Sequence, residues 1–345
     1  EPDLTLPTNL LPELDDSESK AKLDYVIESY MDYYEIEGLS FAAFNGDEIY
    51  TKTYGVKNKY TGEIADEKTL FEAASITKTI FAYAVLRLYE KGLIDLDKAL
   101  YEYLPFEKSS NQAYNKLLTA RNILSHRSGL PNWAGSSDIK YLSKPGSTYT
   151  YSGEAFEYLK RVVEVIVDED IHSILHKEVV EPLGLEKMYF KSDEKAIKDK
   201  AFGHLNALAI RKDMQTEVGV SHSLVTDAAA LAKFVIALRD RKGLESETFD
   251  LMFSNQTNDI GSYKSNVWGY EEHLGLGFFI EEAPYAKVIR HGGSNGDFWC
   301  KFRLYDGLDM GYVIMTNGNS GRFITDNIER NLIDPKSFQE IDDKN

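Results

Sequence analysis

Three short stretches carry the residue types of nucleophilic catalysis. The first is Phe71-Glu72-Ala73-Ala74-Ser75-Ile76-Thr77-Lys78-Thr79. If a helix opens at Ser75, Lys78 falls one turn on and on the same face. A serine hydroxyl is a weak nucleophile and needs an adjacent base. A lysine amine can be that base once desolvation or a second cation lowers its pKa. A serine at a helix N-terminus also lies beside free backbone N–H groups, which can hold a developing oxyanion. Alone, Ser-x-x-Lys equally describes a capping serine followed by an exposed lysine.

The second stretch is Pro145-Gly146-Ser147-Thr148-Tyr149-Thr150-Tyr151-Ser152-Gly153, a turn and a hydroxyl-rich run ahead of a helix. A phenol at Tyr151 can accept or relay a serine proton if nearby cations lower its pKa. The plainer reading is a packed loop tyrosine, one of 22 in the chain. The third stretch is Ile289-Arg290-His291-Gly292-Gly293-Ser294-Asn295-Gly296. Here a strand ends in a histidine followed by glycines that let another backbone or a substrate approach closely. A backbone N–H just beyond them can serve as a second oxyanion donor. A glycine-rich hairpin bulge explains the same letters.

Elements must bring these stretches together. The 345 residues suffice for one large unit or two subdomains sharing a cleft, and 43% apolar with 28% charged residues is ordinary for a globular protein. Helical spacing marks 17–37, then two strands are expected near 39–45 and 48–55 around the turn Asn45-Gly46-Asp47. An apolar helix over 75–91 closes at Gly92. Further helices are expected at 118–125, 153–167, 170–180 and 226–240. Short aromatic and β-branched runs at 275–282, 286–291, 296–305 and 309–316 predict an antiparallel meander, and a last helix lies near 320–333. The predicted class is α+β. An antiparallel sheet is flanked by the N- and C-terminal helices, a mostly helical subdomain lies alongside, and the cleft runs between them. We place the sheet-bearing part at about 17–80 and 241–335, the helical part at about 81–240, and an extended lead-in at 1–16.

The net charge of −17 repels nucleic acid and no basic stripe offsets it. No apolar run reaches the length of a membrane span. The single cysteine, Cys300, lies in a strand-like run and reads as a buried core thiol. His172 and His176, four apart, share a helix face, but no third ligand lies near them in sequence, so neither a metal nor another cofactor is expected. The start at Glu1 suggests a processed chain. The sequence carries no signal for an oligomeric state.

Taken in order, the three stretches resemble the serine β-lactamase and penicillin-binding-protein-like superfamily, and within it the branch of class C β-lactamases, D-alanyl-D-alanine carboxypeptidases and esterases. The likeness covers roughly 20 to 330. Four further stretches are similar to that branch: the helix 82–97, Asn122-Ile123-Leu124-Ser125-His126-Arg127-Ser128-Gly129-Leu130-Pro131, Glu181-Pro182-Leu183-Gly184-Leu185 and Ser221-His222-Ser223-Leu224-Val225-Thr226-Asp227. The resemblance implies that Ser75 forms an acyl-enzyme. Lys78 and Tyr151 would share general-base duty. The backbone N–H groups of Ser75 and Ser294 would form the oxyanion hole, and His291 would stand where β-lactamases carry a lysine. It also implies a location outside the cytoplasm, with a cytoplasmic one left open.

Two departures narrow the function. The family's Tyr-x-Asn reads Tyr151-Ser152-Gly153 here, which removes an amide anchor, and His291 replaces a permanent cation that would hold a carboxylate. Both disfavour efficient β-lactam hydrolysis and point to an esterase, or a peptidase with unusual specificity, acting on a small-molecule ester or peptide. The alternatives are a D-amino-acid-specific peptidase or β-lactamase acting on cell-wall-type amides, and a binding protein that kept the fold without turnover. Gly153, Gly292 and Gly293 are expected to shape the substrate site, with Trp133 at its rim. Phe298 is expected in the substrate site, because by strand alternation only one of Phe298 and Trp299 faces the cleft. His126 is expected to hold structure through hydrogen bonds.

Overall fold

A computed structural model describes residues 9–135, 138–206, 208–210, 213–260, 263–264 and 269–336. Its centre is an antiparallel sheet. Across the sheet the strands run Glu63–Ile64, Glu48–Asn58, Gly38–Asn45, Met310–Thr316, Trp299–Asp306, Ala286–Ser294, Phe279–Ala283, Glu271–Leu274 and Tyr263–Lys264. The chain therefore enters through the middle of the sheet and returns to pair its last strand with its first. Gly46 adopts φ +58° in the two-residue loop between the first two strands, the left-handed conformation that a tight hairpin turn requires.

Alternation along the strands feeds two cores. On Gly38–Asn45, Phe41 and Ala43 face one core and Ala42 and Phe44 the other. The first pair packs beneath the N-terminal helix Ser17–Tyr34 and the C-terminal helix Gly321–Leu332, which contact each other. The second pair joins the larger core shared with the helical part, around Ile80, Phe81, Phe156 and Leu231. The architecture is the α+β arrangement expected from the sequence pattern.

Several details differ from that expectation. Residues 9–16 are not a free lead-in: Leu10, Leu11 and Leu14 are buried, and the N–H groups of Leu10 and Leu11 donate to the carbonyls of Asn331 and Leu332. Residues 1–8 lie outside the described residues. The helix Ala228–Arg239, capped by the Asp227 carboxylate on the Ala230 N–H at 2.7 Å, packs on the first and last strands. It belongs with the sheet, so a boundary at 240 cuts too late. The expected helix 170–180 divides into an α-helix, Ile171–Leu175, and a π-helical turn, His176–Val180. The expected strand 275–282 opens with a glycine-bearing turn and only its second half is strand, Phe279–Ala283, with a further strand, Glu271–Leu274, ahead of the turn. There a Cβ on Gly277 would lie 2.3 Å from that of Ala82, so only glycine lets this turn rest on the helix Thr77–Glu90. The strand beginning at Ala286 also continues past His291 to Ser294.

Candidate active site

Ser75 sits on a short 3₁₀ turn, Ala74–Ile76, that leads directly into the helix Thr77–Glu90. The residue before it, Ala74, has φ +46°, a left-handed conformation that costs a residue with a Cβ roughly 1–2 kcal/mol. Neighbours hold this turn in place. The Thr77 hydroxyl donates to the Ala74 carbonyl at 2.6 Å and accepts from the Leu224 N–H at 3.0 Å, and the Ala73 N–H donates to the Leu224 carbonyl at 2.8 Å.

The helical spacing places the Lys78 amine 3.2 Å from the Ser75 hydroxyl oxygen. Lys78 is fully buried, and its amine also donates to the Ser221 carbonyl at 2.8 Å. The Tyr151 and Phe156 rings stand 4.8 and 5.7 Å from it. Burial lowers the Lys78 pKa to about 7, against a smaller opposing pull from Glu157. About half of the amine is then neutral near pH 7 and able to take a proton from the hydroxyl beside it. Glu157 in turn accepts the N–H and hydroxyl of Ser221 at 3.0 and 2.6 Å, which fixes the carbonyl that Lys78 meets.

Tyr151 precedes the helix Gly153–Val167, whose cap is the Ser152 hydroxyl on the Ala155 N–H at 3.0 Å. His126 grips the segment on both sides of Tyr151. Its carbonyl accepts the Thr150 N–H at 2.7 Å, its Nδ1 accepts the Ser152 N–H at 3.3 Å, and its ring stacks on the Tyr151 ring with centroids 4.2 Å apart. Burial pushes the Tyr151 phenol pKa up, only partly offset by a hydrogen bond with Ser75. No cation is among the causes of the shift, so its direction favours the protonated phenol at neutral pH.

Against this group lies the end of the strand Ala286–Ser294. A Cβ at Gly293 would stand 2.4 Å from the Ala73 carbonyl oxygen, 2.7 Å from the Cys300 sulfur and 2.9 Å from the Ser75 nitrogen. The absent side chain is what lets the strand meet the serine turn. His291 is buried, and burial together with Lys78 lowers its pKa to about 3. Its Nδ1 is 2.6 Å from the Gly292 carbonyl, so the proton resides there and Nε2 is left without a partner among the described residues.

A cavity of about 450 Å³ joins these parts: Ser75, Tyr151, His291 and Ser294 line it, with Asn132 and Phe279. Its lining also holds Arg290, Lys301, Arg303 and Arg322. Three of them are tied into carboxylates. Arg303 meets Glu281 and Glu329, Lys301 meets Glu329 at 2.7 Å, and Arg290 meets Glu272 and Glu281. A serine hydroxyl, a phenol and a glycine-lined backbone edge around one cavity, with a desolvated amine buried beside the serine, are the parts that acyl transfer needs.

The sequence model of the Beta-lactamase family matches residues 23–334. The chain belongs to that family. It is 29% identical over 212 residues to esterase EstB of Burkholderia gladioli, covering 52% of this chain and 54% of the esterase. It is 24% identical to protein flp of Staphylococcus aureus (strain MW2), covering 88% of this chain and 64% of flp. The chain thus spans less than two thirds of either relative. Its fold is shared with an octameric penicillin-binding protein homologue from Pyrococcus abyssi, at 20% identity and TM-score 0.79 over 92% of this chain and 79% of that one. A class C beta-lactamase gives 18% identity and TM-score 0.77 over 93% and 98%.

Other expected site residues of this beta-lactamase-family chain are placed differently. Phe298 is fully buried, packed edge-on against Phe71, and outside the cavity; Trp299, opposite Ser294 in the sheet register, lines it instead. Gly153 opens its helix and does not line the cavity: its N–H donates to the Asn132 side chain at 2.9 Å. A Cβ there would meet the Trp133 ring at 2.9 Å. Trp133 is exposed, with its ring against Gly153 and His222. Cys300 is a buried residue of the cavity lining, its thiol donating to the Ala73 carbonyl at 2.9 Å, and burial raises its pKa. The His172 and His176 rings are 4.6 Å apart, and no group of three metal ligands exists among the described residues. Three contributors escaped the sequence: Glu157, the Ser221 carbonyl and Asn132.

Proposed function

We propose that this chain is a serine hydrolase of esterase type that forms an acyl-enzyme at Ser75. The observation that carries the reading is the Lys78 amine, 3.2 Å from the Ser75 oxygen and with its pKa lowered to about 7. Neutral Lys78 takes the hydroxyl proton as Oγ attacks the substrate carbonyl carbon. The resulting oxyanion is held by the backbone N–H groups of Ser75 and Ser294. Collapse breaks the ester bond, and the alcohol leaves with the proton carried from Lys78 through Tyr151. Water then releases the acid by the reverse path. The name of the Burkholderia relative, an esterase, supports the choice of ester over amide.

A peptidase is the second reading, and one observation favours it. Arg322 lies in the cavity wall over the Phe323 ring with no carboxylate partner among the described residues, and can meet a terminal carboxylate. Turnover of p-nitrophenyl butyrate by the wild type and by Ser75→Ala tests the main reading. Activity lost in the variant upholds it, and equal activity in both refutes it. Hydrolysis of a D-alanyl-D-alanine peptide, with no ester turnover, would select the second reading.

A further inference from the structure

The outer side of the strand Glu48–Asn58 is open. From Glu48 to Gly55 the strand pairs with Gly38–Asn45 in an unbroken register. On its other side the short strand Glu63–Ile64 reaches only Val56 and Asn58. Two bonds fix which residues face outward. The Val56 N–H donates inward to the Glu37 carbonyl at 2.7 Å, and the Gly55 carbonyl accepts outward from the Ala65 N–H at 3.0 Å. Bonding direction alternates along an antiparallel strand, so Ile49, Thr51 and Thr53 turn their N–H and C=O groups outward. None of these backbone groups has a partner among the described residues. Sheet edges are commonly blunted by a proline, a bulge or a projecting lysine. Glu48–Gly55 has neither proline nor bulge, and its lysine, Lys52, is tied back to the Asp24 carboxylate. The two faces beside the edge differ. On the face of the helix Ser17–Tyr34 lies a cavity of about 420 Å³, lined by Met31, Tyr54 and Ile64 together with Glu28 and Asp32. Ile64 is 68% exposed, and Glu28 and Asp32 are exposed with no ion-pair partner among the described residues. On the opposite face a hollow of about 60 Å³ is lined by Ser40, Thr51, Thr53 and Ala229, with Glu67 beside them.

We infer that this edge is a docking site for an extended basic segment of another protein, added as a further antiparallel strand. Residues of the segment opposite Ile49, Thr51 and Thr53 exchange backbone hydrogen bonds with them and turn small side chains toward the smaller hollow. The residues between these point to the helix face. There a lysine or arginine meets Glu28 and Asp32, and its methylene stem covers Tyr54 and Ile64. A second copy of this chain is the poorer occupant, because it brings a net charge of −17 and the same carboxylates to the contact. Docking here is independent of the chemistry at Ser75.

The test is fluorescence polarisation with a labelled peptide, acetyl-Lys-Val-Lys-Val-Lys-Val-Lys-amide, and a copy of it N-methylated at the valines. The copy keeps every charge and loses only the N–H groups that the edge accepts. The parent is expected to bind, and the copy to bind about tenfold more weakly. Thr51→Pro removes an outward N–H and leaves the inward ladder intact. That variant, and separately the pair Glu28→Lys with Asp32→Lys, should each weaken the parent peptide by a similar factor. Equal binding of the two peptides reduces the contact to charge attraction and overturns the proposal. Parent binding unchanged in Thr51→Pro, or absent from the wild type at about 1 mM, does the same. A wild-type dimer in sedimentation velocity that Thr51→Pro dissolves gives the edge to a second copy and also overturns it.

Discussion

If Lys78 is the base, the rate must follow its titration. With a pKa of about 7, the neutral fraction is roughly 0.09 at pH 6 and roughly 0.9 at pH 8. The kcat/KM for a nitrophenyl ester should therefore rise about tenfold between those values and then level off. An amine at the ordinary 10.5 would be only about 0.3% neutral at pH 8 and would give a limb still climbing tenfold per unit at pH 9. The cause of the shift supplies a second arm. Glu157 is the charge that opposes desolvation of Lys78, so Glu157→Gln removes a stabiliser of the ammonium form. Its amide oxygen can still accept from Ser221. The limb should move to lower pH in this variant. Initial rates at saturating buffer capacity from pH 5 to 10, corrected for spontaneous hydrolysis, measure both. A plateau absent up to pH 10, or a limb that moves upward in Glu157→Gln, would refute the argument.

Two further outcomes follow from the packing. Gly293→Ala forces a methyl to within 2.4 Å of the Ala73 carbonyl oxygen and 2.9 Å of the Ser75 nitrogen. Ester turnover should drop about 100-fold, the scale of one lost oxyanion donor, with the circular dichroism spectrum unchanged; a fully active variant would count against the backbone edge as part of the site. Glu329 is buried between Arg303 and Lys301, and although burial alone raises its pKa, these two cations bring it down to about 2. Glu329→Gln should cost about 3 kcal/mol in urea unfolding at pH 7, since Arg303 keeps Glu281. A folded pKa below the ordinary 4.5 means this stabilisation is present above pH 4.5 and fades as pH falls toward 2. The gap between wild type and variant should close over that window.

Local rules made part of the site legible. Three residues of helix bring Lys78 over Ser75 whatever the rest of the chain does, and Asp227 ahead of an apolar run is a helix start anywhere. Alternation said that one of Phe298 and Trp299 faces the cleft, and the choice of Phe298 was the wrong one. Choosing between them needed the register Ser294 to Trp299, which is a tertiary fact. The Ser221 carbonyl could not be found, because every residue carries one. Glu157 reads as an ordinary charge on an amphipathic helix until the fold brings Ser221 to it. Gly153 reads as a lost amide; only the structure shows an asparagine from the preceding loop hydrogen-bonded to that same residue. Gly275 and Gly277, which break the expected strand 275–282, were visible, but the reason for the break is the helix that Gly277 touches.

The protonation states of the cavity have one common cause. Burial disfavours whichever form of a group is charged, so it lowers Lys78, His126 and His291 and raises Tyr151. Burial therefore leaves about half of the Lys78 amine neutral near pH 7 and able to accept a proton, a phenol that can pass one on, and two imidazoles that do neither at neutral pH. His126 must stay neutral to do what it does, since protonating Nδ1 would cancel the bond from Ser152 and release the segment that holds Tyr151. His291 is neutral for the same reason, so it cannot supply the fixed positive charge that anchors a carboxylate. The cavity-lining cation without a carboxylate partner among the described residues is Arg322. In the proposed reaction, desolvation thus makes the lysine available as a base and at the same time keeps His291 uncharged, which would favour uncharged acyl groups at Ser75.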